Sequence, residues 1–247
     1  MKYQLRDYQK KASDAAVMCF KMKSGRNGLL VLPTGAGKSL IIADIAARLE
    51  EPLIVFQPNK EILEQNFAKL QTYGIWDCSI YSASVGRKEI SRITFATIGS
   101  VIRHMKDFQH FKNILIDECH LVKPSDGMYK RFFEQAERRI VGLTATPYRL
   151  YSCMNGSMLK FLTRTRPRVF SQVLYYCQVS ELLAKGFLSR LKYYDVTRID
   201  LTKVRRNSSG ADFDDASLSD EFRRVDLYGY LSLIHISEPT RPLYISY

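Results

Sequence analysis

The seven residues Pro33-Thr34-Gly35-Ala36-Gly37-Lys38-Ser39 separate a short apolar run, residues 28–32, from a stretch over 39–50 with helical spacing. That order constrains the fold more than any other feature of the chain. A buried strand, a glycine-rich turn and a helix that starts at once make one strand–loop–helix unit. Such units assemble into a mainly parallel sheet with helices on both faces. The glycines let backbone N–H groups converge, and the helix N-terminus adds its positive dipole end, so the turn is shaped for a phosphate. Lys38 can reach the β- and γ-phosphates of a nucleotide, and the Ser39 hydroxyl can ligate Mg²⁺. The strict pattern asks for glycine at position 32, where this chain has Leu32. A glycine-rich turn with a chance Lys-Ser is the alternative, and the strand–loop–helix setting weighs against it.

The rest of residues 1–150 keeps the same alternation. Residues 5–23 place Leu5, Tyr8, Ala12, Ala15, Ala16, Cys19 and Phe20 on a helical stripe. Short apolar runs at 53–57, 79–81, 93–97, 114–117 and 140–144 read as strands, and 59–73 and 126–137 read as helices. The expected class is α/β, and ligands of such sheets sit at the carboxyl ends of the strands. Beyond Leu150 the pattern loosens to about residue 168. Residues 169–186 then read as a helix with Gly186 as its cap, 191–196 as a strand, and 203–215 as a loop.

Composition adds limits. The chain has 247 residues, with 37 Lys+Arg against 25 Asp+Glu, a formal charge of +12. The excess permits a polyanionic partner, although a solvated basic surface reads the same way. No apolar run approaches the roughly 20 residues of a membrane span, and residues 1–10 are too polar for a signal peptide. Five cysteines without a CxxC pair argue against a zinc site or a disulfide framework. A cytoplasmic protein with no membrane partner is expected.

Ile114-Leu115-Ile116-Asp117-Glu118-Cys119-His120 supplies a second chemical centre. An apolar strand ends in adjacent carboxylates, whose side chains leave in different directions. Asp117 can hold Mg²⁺, and Glu118 can polarise an attacking water as general base. A surface acidic pair is the alternative, against which the three apolar residues before Asp117 count. His120 can link this centre to the next strand end, and Cys119 reads as a small buried filler.

These motifs, in this order, resemble the first RecA-like core of a superfamily 2 helicase or translocase, close to the type III restriction and DEAD/DEAH-like group. The resemblance spans residues 1–150. Leu5-Arg6-Asp7-Tyr8-Gln9 is similar to the Q-type motif, which implies adenine reading by Gln9. Pro33 to Ser39 matches motif I, and Asp117-Glu118-Cys119-His120 matches motif II. Thr144-Ala145-Thr146 matches motif III, implying that Thr144 and Thr146 couple nucleotide state to strand movement. Phe56-Gln57-Pro58-Asn59-Lys60 resembles motif Ia and Ala96-Thr97-Ile98-Gly99-Ser100 resembles motif Ib. Both imply nucleic-acid backbone contacts, by Pro58, Asn59, Lys60, Thr97 and Ser100. The bland alternatives are an exposed helix glutamine at Gln9, a plain helix cap at Asn59, and ordinary strand threonines at Thr144 and Thr146.

The resemblance implies an ATP- and Mg²⁺-dependent DNA helicase or translocase, with Lys38, Glu118 and His120 as catalytic residues. Asp-Glu-Cys-His in place of Asp-Glu-Ala-Asp favours DNA over RNA. A restriction-system motor subunit, an RNA helicase and a non-catalytic nucleic-acid-binding fragment are the other readings. Residues 151–186 are expected as a connecting helical segment and 187–230 as the incomplete start of a second RecA-like domain. The family's second core supplies an arginine finger, worth roughly 10³–10⁵ in rate in related enzymes. Slow hydrolysis is therefore expected of the chain as written. Residues 231–247, LSLIHISEPTRPLYISY, resemble a translated sequencing adapter and are expected to be non-native.

Overall fold

The computed structural model describes residues 4–22, 26–125, 127–153, 156–189, 200–207 and 213–224. The chain begins α1 (Asp7–Lys21), β1 (Gly28–Val31), α2 (Lys38–Arg48), β2 (Leu53–Phe56), α3 (Lys60–Thr72) and β3 (Cys78–Ser82). It continues through β4 (Arg87–Lys88), β5 (Ile93–Ala96), α4 (Ile98–Val101), β6 (Asn113–Ile116), α5 (Met128–Phe133) and β7 (Arg139–Thr144). Then come β8 (Tyr148–Cys153), β9 (Gly156–Phe161), β10 (Gln172–Tyr176), α6 (Val179–Ala184) and α7 (Asp215–Arg224).

Eight of these strands form one sheet, ordered β10-β1-β7-β6-β2-β5-β3-β4, and only the β3–β4 hairpin pairs antiparallel. Strand alternation then divides the core. Leu53, Val55, Leu115, Val141 and Leu143 pack on one face with Ala12 and Phe20 of α1, Ile41 and Ile45 of α2, and Leu63 and Phe67 of α3. Ile54, Phe56, Ile114, Ile116 and Ile140 pack on the other with Phe108, Phe111 and Phe132. The near-continuous burial of β2, β5 and β6 is what a parallel sheet covered on both faces demands.

The order also sets the site. β1, β7, β6, β2 and β5 are neighbours, so the segments that leave their carboxyl ends lie side by side. In sequence these segments are far apart, beginning near residues 32, 144, 117, 57 and 97.

The connecting segment departs from the helical expectation. Tyr148–Cys153 and Gly156–Phe161 form a separate two-stranded sheet, and Gln172–Tyr176 is a strand parallel to β1. Only Val179–Ala184 of the stretch 169–186 is helical. The reason is tertiary: β1 has an open side, and the Val173-Leu174-Tyr175-Tyr176 run suits a strand. Asn27 fixes the join, donating from Nδ2 to the Val169 carbonyl (3.0 Å) and accepting the Ile140 N–H at Oδ1 (2.9 Å). Gly186 does close α6, with φ 70° and the Phe187 N–H on the Leu182 carbonyl at 2.8 Å. The expected helix at 126–137 is confined to Met128–Phe133.

Of the described residues, those within 4–149 and 161–189 make one compact unit, and those within 150–160, 200–207 and 213–224 fall in a second. In the second unit Asp214 caps α7 by accepting the Ser217 N–H at 3.0 Å, and Glu221 pairs with Arg224 at 2.6 Å. The expected strand at 191–196 and the adapter-like residues 231–247 lie outside the described residues. No described helix is long and apolar enough to cross a membrane.

Candidate functional site

The turn after β1 has the geometry its glycines require. Gly35 and Gly37 take φ of 81° and 77°, and Gly37 caps the N-terminus of α2. A Cβ at Gly37 would stand 2.5 Å from Gln9 Nε2, and one at Gly35 would stand 2.9 Å from a Leu188 methyl. Pro33 and Ala36 are buried, Thr34 and Gly35 are exposed, and Lys38 and Ser39 are half-buried at the mouth of the turn. The cradle suits an anion about the size of a phosphate chain.

α1 is tied to this turn. Tyr8 Oη and Gln9 Nε2 both donate to the Ala36 carbonyl, at 2.9 and 3.0 Å. Gln9 Oε1 accepts the Arg6 N–H at 2.9 Å, so both ends of its amide are engaged within the protein. Beyond α6, Phe187 packs against Tyr8 with ring centroids 5.7 Å apart, and Arg6 lies 4.2 Å over the Phe187 ring.

At the end of β6, Asp117 is 6 % exposed. Its carboxylate accepts Asn66 Nδ2 (3.3 Å) and the Glu118 N–H (3.0 Å). Burial raises its pKa above the usual carboxylate value, opposed by the charge of Lys38. Glu118 is the one non-glycine residue with positive φ among those described, at 47°. The left-handed conformation costs roughly 1–2 kcal/mol and turns the side chain toward Lys38, with which it forms an ion pair. His120 Nδ1 lies 3.3 Å from Glu118 Oε2 and 3.0 Å from Thr144 Oγ1. Thr144 Oγ1 in turn accepts the Thr146 N–H at 3.0 Å. One polar chain thus runs Lys38–Glu118–His120–Thr144–Thr146 across the ends of three adjacent strands. Cys119 is fully buried beneath it, its thiol pKa pushed up by burial. Gly142 leaves it room, since a Cβ there would stand 2.6 Å from Cys119 Sγ.

At the β2 and β5 ends, Asn59 caps α3 by accepting the Ile62 N–H (3.0 Å), with Lys60 exposed and Pro58 half-buried beside it. Thr97 and Ser100 share a hydroxyl contact of 2.9 Å, and Ser100 Oγ accepts the Ala83 N–H at 2.8 Å. Between these residues and Asp117–Glu118 is a cavity of about 480 Å³, walled by Gln57, Thr97, Met128 and Tyr129. Gln57 is 1 % exposed, and neither atom of its amide has a hydrogen-bond partner among the described residues.

Sequence reasoning passed over Tyr8, Asn66 and Gln57 as polar contributors. Asn66 carried a usable signal, because it interrupts the apolar stripe Leu63–Phe67–Leu70 on the buried face of α3. Tyr8 carried none, since a buried tyrosine reads as core.

Fold and site together define the N-terminal RecA-like core of a superfamily 2 helicase. Residues 2–149 match the family model described as type III restriction enzyme, res subunit, and the chain belongs to that family. It is 29 % identical over 151 residues to the DNA 3'-5' translocase XPB2 of Sulfurisphaera tokodaii, a match covering 60 % of this chain and 32 % of the relative. It is also 29 % identical over 154 residues to the DNA 3'-5' helicase XPB of Mycobacterium tuberculosis, covering 58 % and 27 % respectively. The chain therefore spans about a third of these relatives' length or less. A solved structure of a nuclease-deletion mutant of the type ISP restriction-modification enzyme LlaGI with a DNA substrate mimic shares the fold. Its TM-score is 0.55 at 16 % identity, over 75 % of this chain and 21 % of the other.

Proposed function

We propose that this chain carries the ATP-binding core, and part of the nucleic-acid face, of a DNA helicase or translocase. The observation that carries the reading is the continuous polar chain from Lys38 to Thr146, lying beside the residues at the β2 and β5 ends. Lys38 and the backbone N–H groups of 35–39 would hold the β- and γ-phosphates, and Ser39 and Asp117 would hold Mg²⁺. Bound Mg²⁺ would neutralise charge on the phosphate oxygens.

The residues around that site then have separable tasks. Lys38 exchanges its Glu118 partner for phosphate, which frees the Glu118 carboxylate to take a proton from water. His120 touches both Glu118 and Thr144, so a change at the hydrolytic carboxylate reaches the β7 end directly. Gln9, to read adenine, exchanges at least one of its internal hydrogen bonds, which links base recognition to the Ala36 carbonyl of the phosphate turn. Full turnover is assigned to closure by a second core, and the chain alone hydrolyses slowly.

Binding of a fluorescent ATP analogue with Mg²⁺ tests the site. Lys38→Ala is expected to abolish it; undiminished binding refutes the assignment. Robust DNA-stimulated hydrolysis by this chain alone would overturn the need for a second core.

A further inference from the structure

The far end of the sheet's carboxyl edge holds a groove of about 540 Å³ that the helicase motifs only partly account for. Asn59, Lys60, Thr97 and Ser100 form its near side. Its far side is built by Lys88, Arg103 and His104, which belong to none of the motifs.

The hairpin explains why Lys88 arrives there. Register pairs Tyr81 with Lys88 and Ser82 with Arg87. Directly opposed residues share a face of an antiparallel pair, so Lys88 lies on the Tyr81 side and Arg87 on the other. The Tyr81 ring packs edge-on against His104 (6.2 Å) and Phe108 (4.7 Å). That packing holds the turn after α4 beside the hairpin, and Arg103 with it. Arg87 is exposed but does not line the groove.

Charge gives the ligand class. Arg48, Arg92, Arg139 and Lys185 each meet a carboxylate. Lys60, Lys88 and Arg103 are exposed and have no ion pair among the described residues, and no carboxylate lines the groove. Converging unpaired cations repel one another and concentrate an anion. The Thr97 and Ser100 hydroxyls at its floor are held by Ser82 Oγ at 3.2 Å and the Ala83 N–H at 2.8 Å. They stand ready to contact phosphate oxygens. A row of cations and hydroxyls along an open groove fits a chain of phosphodiesters better than one isolated anion.

The geometry points to a phosphodiester subsite formed by Lys88 and Arg103, with His104 beside them, where a bound strand continues past the motif Ib residues onto the β3–β4 hairpin. This rests on the nucleic-acid reading above and extends the footprint by about two phosphates.

Fluorescence anisotropy of a labelled DNA oligonucleotide across a salt series tests it. Each phosphate that a substitution leaves without its cation lowers the slope of log K against log[salt] by about 0.7–0.9, equivalent to about fivefold to eightfold in affinity near 0.1 M salt. Lys88→Ala and Arg103→Ala should each show that reduction, whereas Arg87→Ala, one residue away on the other face, should not. If Lys88→Ala and Arg103→Ala behave like Arg87→Ala while Lys60→Ala weakens binding, the subsite is overturned and the wider reading stands. If the unaltered chain shows no salt-dependent DNA binding, both fall. Inorganic phosphate is the second arm. Displacement of phosphate by the two substitutions with DNA affinity intact would identify a small-anion site and overturn the strand path.

Discussion

Glu118→Gln should tighten nucleotide binding while removing hydrolysis, and the structure sets the size of the first effect. Lys38 is paired with Glu118, and the two side chains are 14 % and 25 % exposed. Lys38 must leave that partner to meet phosphate, so part of its binding energy offsets the broken pair. A hydrogen bond to a charged group contributes about 1.5–3 kcal/mol net. Partial solvent exposure reduces this, and glutamine keeps a neutral acceptor, which leaves about 1–2 kcal/mol. That is about fivefold to thirtyfold in Kd, since 1.4 kcal/mol is about tenfold. Isothermal titration of ATP with Mg²⁺ into the purified chain and its variant measures it directly. Unchanged or weaker binding by Glu118→Gln would refute the idea that the carboxylate holds Lys38 back. A stronger effect on Mg²⁺-free than on Mg²⁺-bound nucleotide would trace the gain to relief of charge repulsion instead.

Three further outcomes are expected. Asn27→Ala leaves the buried Ile140 N–H and the Val169 carbonyl without their partners, costing about 2–3 kcal/mol. That corresponds to about 4–12 °C in melting temperature for a domain of this size, and Asn27→Asp, which keeps the Ile140 partner, should recover part of it. Asn66→Ala removes a hydrogen bond that lowers the raised pKa of Asp117. With Asp117 as the proposed Mg²⁺ ligand in its ionised form, Mg²⁺-dependent nucleotide binding should fail at higher pH in the variant as the solution is acidified. The same group contributes stability below its unfolded pKa that is lost as pH rises through the folded value, so acid melts should show the opposite trend to ligand binding. Gln57→Leu exchanges a buried, unpartnered amide for an apolar side chain; the melting temperature should rise in a thermal scan, and a fall would show the amide to be satisfied in solution.

Much of this was legible because local pattern and tertiary role agree. The runs containing Leu53, Ile93 and Ile114 are mostly apolar, as strands buried on both faces must be, and the glycine pair at 35 and 37 marks a turn only glycine adopts readily. Gln172–Tyr176 was illegible for the converse reason. Its pairing with β1 depends on residues about 144 positions earlier, and its sequence alone suits either structure. The polar chain was half legible: His120 and Thr144 were singled out, but their 3.0 Å contact follows from β6 and β7 being neighbours. Lys88 was hidden because hairpin register, not composition, chooses its face.

The strand contributed by Gln172–Tyr176 separates two notions of a domain. The family model matches residues 2–149, yet the strand that leads into the glycine turn has its second neighbour at 172–176. A piece cut where the similarity stops would expose β1 as a bare edge, a row of unpaired N–H and C=O groups inviting association with other chains. The family-matched segment and the compact unit around it are therefore different lengths. The family-matching part of this chain borrows its closure from a stretch that carries none of its motifs.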